Sequence, residues 1–200
     1  MNTKIENSPT DQHLVNKVLD GDTSAFETII KNTERLVAQI VFKMISNTED
    51  RKDIAQDIYL KTFKKLSGFK FKSKLSTWIG QIAYNTCLNY LEKKRLIILS
   101  KTEIDTDSLD LLSVETINTS NNETENFIFQ KNLSEILISE IDILPPLYKT
   151  LITLYHNEEL SYEEIAQITE LPEGTVKSYL FRARKSLRES LSHKYKKEEL

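Results

Sequence analysis

Two hundred residues, 39% of them hydrophobic, are enough for one or two small cores. Four glycines and four prolines favour long helices over sheets and turns, and the single Cys87 excludes an internal disulfide and suits a reducing cytosol. No apolar run approaches membrane-spanning length and the N-terminus has no signal-peptide pattern, so the sequence predicts a soluble, cytoplasmic protein.

Taken in order, residues 1–10 read as frayed. From Asp11, a first helix face carries Leu14, Val15, Val18 and Leu19. Gly21-Asp22-Thr23 breaks and recaps. A longer helix buries Phe26, Ile29, Ile30, Leu36, Val37, Ile40, Val41 and Met44. Asn47-Thr48 ends or caps an element, and the next helix, from about Asp50 to Leu66, turns Ile54, Ile58, Phe63 and Leu66 inward. Ser67-Gly68 interrupts, and Phe69 to Lys74 is a basic, aromatic loop. Ser76 to Leu96 is the last helix of this half, with Trp78, Ile79, Ile82, Ala83, Leu88 and Leu91 inward and Cys87 buried. Residues 97–122 are rich in Ser, Thr, Asn and Asp without lasting period, the pattern of a flexible acidic linker. A helix resumes near Glu123 and stops at Leu144-Pro145-Pro146; the next presents Leu147, Leu151 and Leu154. The fold class is all-α: two small helical domains, residues 11–96 and 123–200, joined by that linker.

The stretch from Leu160 to Arg184 has the pattern of a helix-turn-helix, a unit that sets a helix in the major groove of DNA. Ser161 caps the first helix, with Glu164 three residues on to complete a capping box. Ile165, Ala166 and Ile168 are its inward side. Glu170 and Leu171 make the turn; a non-glycine there costs about 1 kcal/mol if the backbone is left-handed. Pro172 opens the second helix, whose apolar stripe is Val176, Leu180, Ala183, Leu187 and Leu191. The candidate groove-reading residues are Thr175, Lys177, Ser178, Phe181, Arg182 and Lys185. Arg and Lys contact guanine edges or phosphates, Ser donates or accepts, and Phe touches a thymine methyl. A solvated basic face is the bland alternative; the coincidence of cap, turn and two-faced helix speaks against it.

The net charge of −3 conceals strong segregation. Lys61 to Arg95 holds nine Lys/Arg and one acid, and Thr175 to Lys197 holds eight and one. Leu96 to Phe127, between them, holds seven acids and one Lys. In the first basic block the aromatics Phe63, Phe69, Phe71, Trp78, Tyr84 and Tyr90 interleave with the cations. That is the composition of a surface for single-stranded nucleic acid, where charge tracks phosphates and rings stack on bases. Asn85 and Asn89, one turn apart, add groups able to hydrogen-bond a base edge. For Trp78 and Phe63, burial in the core is an equally good reading.

These strings carry a resemblance. Glu49-Asp50, then Asp53-Ile54-Ala55-Gln56-Asp57-Ile58-Tyr59, Phe63, Ser76-Thr77-Trp78-Ile79-Gly80-Gln81-Ile82-Ala83-Tyr84-Asn85 and Leu91-Glu92-Lys93-Lys94-Arg95 resemble region 2 of the sigma-70 family. Leu144-Pro145, Leu160-Ser161-Tyr162-Glu163-Glu164-Ile165-Ala166, Pro172-Glu173-Gly174-Thr175-Val176-Lys177-Ser178 and Arg182-Ala183-Arg184 resemble region 4. Two such units without an intervening region 3 resemble the extracytoplasmic-function (ECF) sigma factors, over nearly the whole chain from Asp11 to Leu191. The resemblance implies that Asp53, Gln56, Asp57 and Tyr59 dock on the β′ clamp helices of core RNA polymerase, with the β flap as a further contact. It implies that Phe69, Lys72, Lys74, Trp78, Tyr84, Asn85, Asn89 and Lys93 bind and hold open the −10 promoter element. The helix from Pro172 to Lys185 would read the −35 element, the linker would thread toward the RNA exit channel, and an anti-sigma factor would restrain the protein. Tyr179 departs from the family, which often has Arg there.

Two other classes fit less well. A stand-alone helix-turn-helix regulator leaves the basic aromatic block unexplained. An enzyme lacks support: His13, His156 and His193 are scattered, Cys87 has no evident His partner, and no phosphate loop or metal spacing appears, so neither cofactor nor metal is expected.

Overall fold

The computed structural model describes residues 9–101 and 129–194, and every regular element among them is helical. The helices are α1 (Pro9–Leu19), α2 (Thr23–Met44), α3 (Thr48–Lys65), α4 (Leu75–Lys101), α5 (Phe129–Ile143), α6 (Pro146–His156), α7 (Tyr162–Thr169) and α8 (Glu173–Lys194). The spans differ from expectation at two places. Pro9 and Thr10, read as frayed, already belong to α1. Helix α4 runs to Lys101, five residues into the span read as linker. The rest of that linker, residues 102–122, lies outside the described residues, as do 123–128, where the next helix was expected to begin; α5 starts at Phe129.

Local chemistry sets most of the boundaries. Gly21, at φ 98°, takes the left-handed turn that ends α1, and the Asp22 carboxylate accepts from the Ser24 and Ala25 N–H groups to start α2. Asn47 caps α3 the same way through the Glu49 N–H. Arg51 closes the corner between them, donating to the Ile45 carbonyl at 2.8 Å and lying 4.8 Å over the Phe42 ring. Asp11 of α1 accepts from the Leu75 N–H at 3.3 Å, tying the start of α4 to the first helix.

Helix α2 lies at the centre of the first half, packed against α1, α3 and α4. In the second half α8 packs against α5, α6 and α7. The halves are joined: α7 lies on α4 and α6 lies on α2, so the buried residues form a single cluster. Ile29, Ile40, Ile58 and Ile79 on one side and Leu151, Leu154, Ile165, Ile168 and Leu180 on the other are all essentially inaccessible. Gly80 permits the approach. A Cβ there would stand 3.0 Å from Ile168 Cδ1 and 3.4 Å from Leu36 Cδ2. Cys87 is fully buried, and burial pushes its thiol up to about 12, so it is an inert packing residue.

Two polar devices fasten the second half. Glu140 of α5 is buried, yet accepts from Ser190 at 2.6 Å and from Lys194 at 2.8 Å, both on α8. Burial raises its carboxyl, but these two donors outweigh burial and hold it below the usual carboxylate range. Such a group stabilises the fold above its unfolded pKa, and that stability is lost as pH falls through the lowered folded value. The contact between α5 and α8 is therefore expected to loosen in acid, below about pH 4, read as growing hydrogen exchange in α5. The other device is the capping box on α7. Ser161 Oγ accepts from the Glu164 N–H at 3.2 Å while Glu164 accepts from the Ser161 N–H at 2.9 Å. Ser161→Ala is expected to cost about 1 kcal/mol in urea denaturation.

Candidate nucleic-acid interface

The exposed face of α8 is built by its own periodicity. Val176, Leu180 and Ala183 are buried against α6 and α7, which turns Lys177, Ser178, Phe181, Arg182 and Lys185 to solvent, with Thr175 partly covered. Phe181 is 68% exposed, a large aromatic with no structural reason to be outside. Ser178 Oγ donates to its own helix at the Gly174 carbonyl, 2.9 Å away, and Lys177 is held by Glu173 one turn earlier. Lys185 lies 3.8 Å from Glu189 one turn on, a looser pair, so Phe181 and Arg182, then Lys185, are the more available of the candidate reading residues. Tyr179 is half-buried, 5.9 Å from the Tyr148 ring, and Arg182 sits 5.8 Å above it. The tyrosine at this position is a platform under an arginine.

Sequence reasoning passed over a second basic cluster. Tyr155 of α6 and Tyr162 of α7 stack with centroids 5.0 Å apart. Arg184 lies 4.9 Å over Tyr155 and its Nε donates to His156 Nε2 at 3.4 Å, while Lys177 lies 5.2 Å over Tyr162. The hydrogen bond from Tyr155, helped by Arg184, pulls the Tyr162 phenol below its usual value. Burial, then Arg184, lowers His156, which favours the neutral ring. Arg184 stands two residues from Arg182 and so nearly half a turn round the helix; periodicity alone removed it from the reading face.

In the first half the expected −10 residues do not form one exposed surface. Phe69 and Tyr84 are buried, 7% exposed each. Phe69 packs 4.7 Å from Phe71 and 5.0 Å from Trp78, itself half-buried, and burial, with Tyr179 nearby, pushes the Tyr84 phenol up to about 12. In this packing neither Phe69 nor Tyr84 offers a face to a base, contrary to the stacking surface read from composition. Phe71 holds a left-handed backbone at φ 54°. Lys72, Asn89 and Lys93 are exposed. Lys74 is engaged by Glu164 of α7 at 2.9 Å. Asn85 Nδ2 donates to Glu170 Oε1 at 3.0 Å, and Gln81 Nε2 donates to the same oxygen at 2.7 Å.

On α3, Asp53, Gln56 and Asp57 are exposed along one face with Leu60, and Asp57 pairs with Lys61 at 2.7 Å. Tyr59 turns away from that face, its hydroxyl 3.2 Å from Thr33 Oγ1 of α2. Phe63, read as inward, is half-exposed with its ring edge against Phe26 at 5.0 Å. The structure differs from the sequence reading at both positions: Tyr59 is fixed to α2 by its hydroxyl at Thr33, and Phe63 lies at the edge of the same α2–α3 contact, one side of its ring on Phe26 and the rest exposed.

This geometry is matched by known proteins. The description "Sigma-70 region 2" fits residues 29–97 and "Sigma-70, region 4" fits residues 134–187. The ECF RNA polymerase sigma-E factor of Haemophilus influenzae is 34% identical over 184 residues, covering 89% of this chain and 93% of that protein. The chain belongs to the sigma-70 family, in its ECF branch. The sigma-E factor of Escherichia coli K12 is 32% identical over 183 residues, covering 89% and 92% of the two chains. Two solved structures share the fold. CnrH in complex with the cytosolic domain of CnrY has a TM-score of 0.63 at 18% identity, covering 93% of this chain and 99% of that one. The sigma factor RpoE of Bartonella quintana, in complex with the anti-sigma factor NepR, has a TM-score of 0.62 at 20% identity, covering 85% and 98%. For an ECF sigma factor, the exposed basic face of α8 falls in region 4 and the engaged amides of α4 fall in region 2. No helix among the described residues is long and apolar enough to cross a membrane.

Proposed function

We propose that this chain is a cytoplasmic promoter-specificity factor that binds core RNA polymerase and directs it to DNA without catalysing a reaction itself. The observation that carries this reading is the exposed α8 face, with Phe181, Arg182 and Lys185 outward on a capped helix-turn-helix, in a chain that also carries region 2. In this proposal α8 reads the −35 element, and α4 with its preceding loop takes the −10 element through Lys72, Lys74, Trp78, Asn85, Asn89 and Lys93. Asp53, Gln56 and Asp57 on α3 face the β′ clamp helices, and the second half meets the β flap. Functional boundaries follow the two helical halves, with the connector starting after α4. Melting needs no nucleotide hydrolysis if unstacked bases gain partners, each worth about 1–3 kcal/mol. Two modest DNA contacts on one chain act through effective concentration once polymerase holds them in place. The relatives solved with CnrY and NepR motivate a restraining anti-sigma partner for this chain as well.

Run-off transcription with bacterial core polymerase on pooled promoter DNA tests this. Initiation is expected only with the protein present, and Arg182→Ala is expected to reduce it roughly tenfold or more, the loss of a bidentate base contact. Absence of initiation and of co-elution with core enzyme, with duplex DNA still bound, would instead indicate a stand-alone regulator.

A further inference from the structure

The contact between the two halves has a consistent polarity. Lys74, Arg35 and Lys43 of the first half pair with Glu164, Glu158 and Asp142 of the second, at 2.9, 3.0 and 2.6 Å. Arg35 Nη2 also donates to the Asn157 carbonyl at 2.8 Å. Gln81 and Asn85, two of the three side-chain amides on α4, both donate to Glu170, while Asn89 is exposed. The half that would take the −10 element supplies the donors, and the helix-turn-helix half, which would read the −35 element, supplies the carboxylates. We propose that this packing is an autoinhibitory contact in which acidic side chains of the second half stand in for DNA on α4 and its loop, with Glu170 as the strap that closes it. The inference rests on the DNA-reading role proposed above for α4.

Glu170 carries most of the weight. It ends α7 in a left-handed conformation, φ 57° and ψ 26°, where glycine would be unstrained. The chain keeps a strained side chain at this turn, and a single oxygen of that side chain takes both amides. Directly beneath, Gly80 lets Ile168 of the same helix approach α4, so the strap and the apolar contact close together. The closure is partial. Lys74 and Asn85 are engaged, whereas Lys72, Asn89 and Lys93 around them, and Phe181, Arg182 and Lys185 on α8, stay exposed. The contact suits a reversible device because its ion pairs are partly solvated; Arg35 is 72% exposed and Lys74 54%, so each contributes little alone. If only an open fraction of molecules can bind, apparent affinity falls by that fraction.

The intact chain, free of polymerase, tests this with a fluorescein-labelled mixed-sequence single-stranded DNA of about 20 nucleotides, read by anisotropy, beside small-angle X-ray scattering. Glu170→Gly removes the strap and relieves the left-handed residue, so it does not threaten folding. It is expected to bind the oligonucleotide roughly tenfold more tightly, the loss of two hydrogen bonds from the closed state, with a larger radius of gyration. Glu163→Gln removes the same charge from an exposed site on α7 and is expected to change affinity less than about twofold. An unchanged affinity and radius for Glu170→Gly would overturn the strap, and so would an equal gain for Glu163→Gln. Expansion without tighter binding would overturn its inhibitory role. Run-off transcription by the wild-type chain judges the promoter-specificity reading separately, because that assay can fail while the scattering and anisotropy differences remain.

Discussion

Leu180→Ala is expected to lower the unfolding free energy by about 3 kcal/mol and the melting temperature by roughly 6–12 °C. Leu180 lies at the middle of the α8 stripe, fully buried between Val176 and Ala183, where α6 and α7 meet α8. Truncation removes apolar surface and leaves a cavity that rigid helix backbones cannot refill. Differential scanning calorimetry and urea titration measure the loss. Phe181→Ala, one residue on, is the informative contrast. Its ring is exposed, so stability is expected to stay within about 0.5 kcal/mol while −35 duplex binding weakens. A small loss at Leu180 or a large one at Phe181 would mean that α8 presents a different face to the core.

Gly80→Leu is the second large effect. Its Cβ alone would meet Ile168 at 3.0 Å, and the rest of the side chain has no space while α7 lies on α4. Overpacking of this kind costs about 1–3 kcal/mol in the closed arrangement. In a separated arrangement the same substitution is favourable, because Leu is a better helix former than Gly by roughly 0.7 kcal/mol. That helix gain is present in both arrangements, so the overpacking against Ile168 alone shifts the balance toward separation, while the gain keeps α4 itself intact. The radius of gyration is expected to rise while the helical circular dichroism signal stays level or grows. An unchanged radius would show that the α4–α7 contact yields locally, by rotation of the Ile168 side chain, without parting the halves.

Much of each half was legible residue by residue. The caps at Asp22, Asn47 and Ser161, the left-handed turn at Glu170 and the stripe of α8 all depend on neighbours within a few positions, where spacing carries the information. The helix positions of Tyr59 and Phe63 were also readable, but not how deeply each would sit against α2, because that depends on Thr33 and Phe26, distant in sequence. The contact between the halves left no local trace. Ile79, Ile82, Ile165 and Ile168 read as core in either half alone, and nothing in their spacing says that α7 and α4 share them. Interleaved aromatics and cations suggested an open stacking surface, whereas Phe69 and Tyr84 are buried; composition reports which groups are present and is silent on which way they face. The partial exception was the glutamate in the turn, which broke a local preference and sits at the contact; the glycine inside α4, read without remark, sits there too.

Trp78 is the only tryptophan in the chain, half-buried on α4 between Lys74 and Gly80, with its indole against Phe69. Its emission therefore comes from one place, the root of the loop that precedes α4. Any event that prises that loop away or wets it will shift the spectrum toward the red, and nothing elsewhere in the molecule can add an indole signal. The protein carries its own optical gauge of what happens beside the residues proposed for the −10 element, readable in a stopped-flow cell without a label.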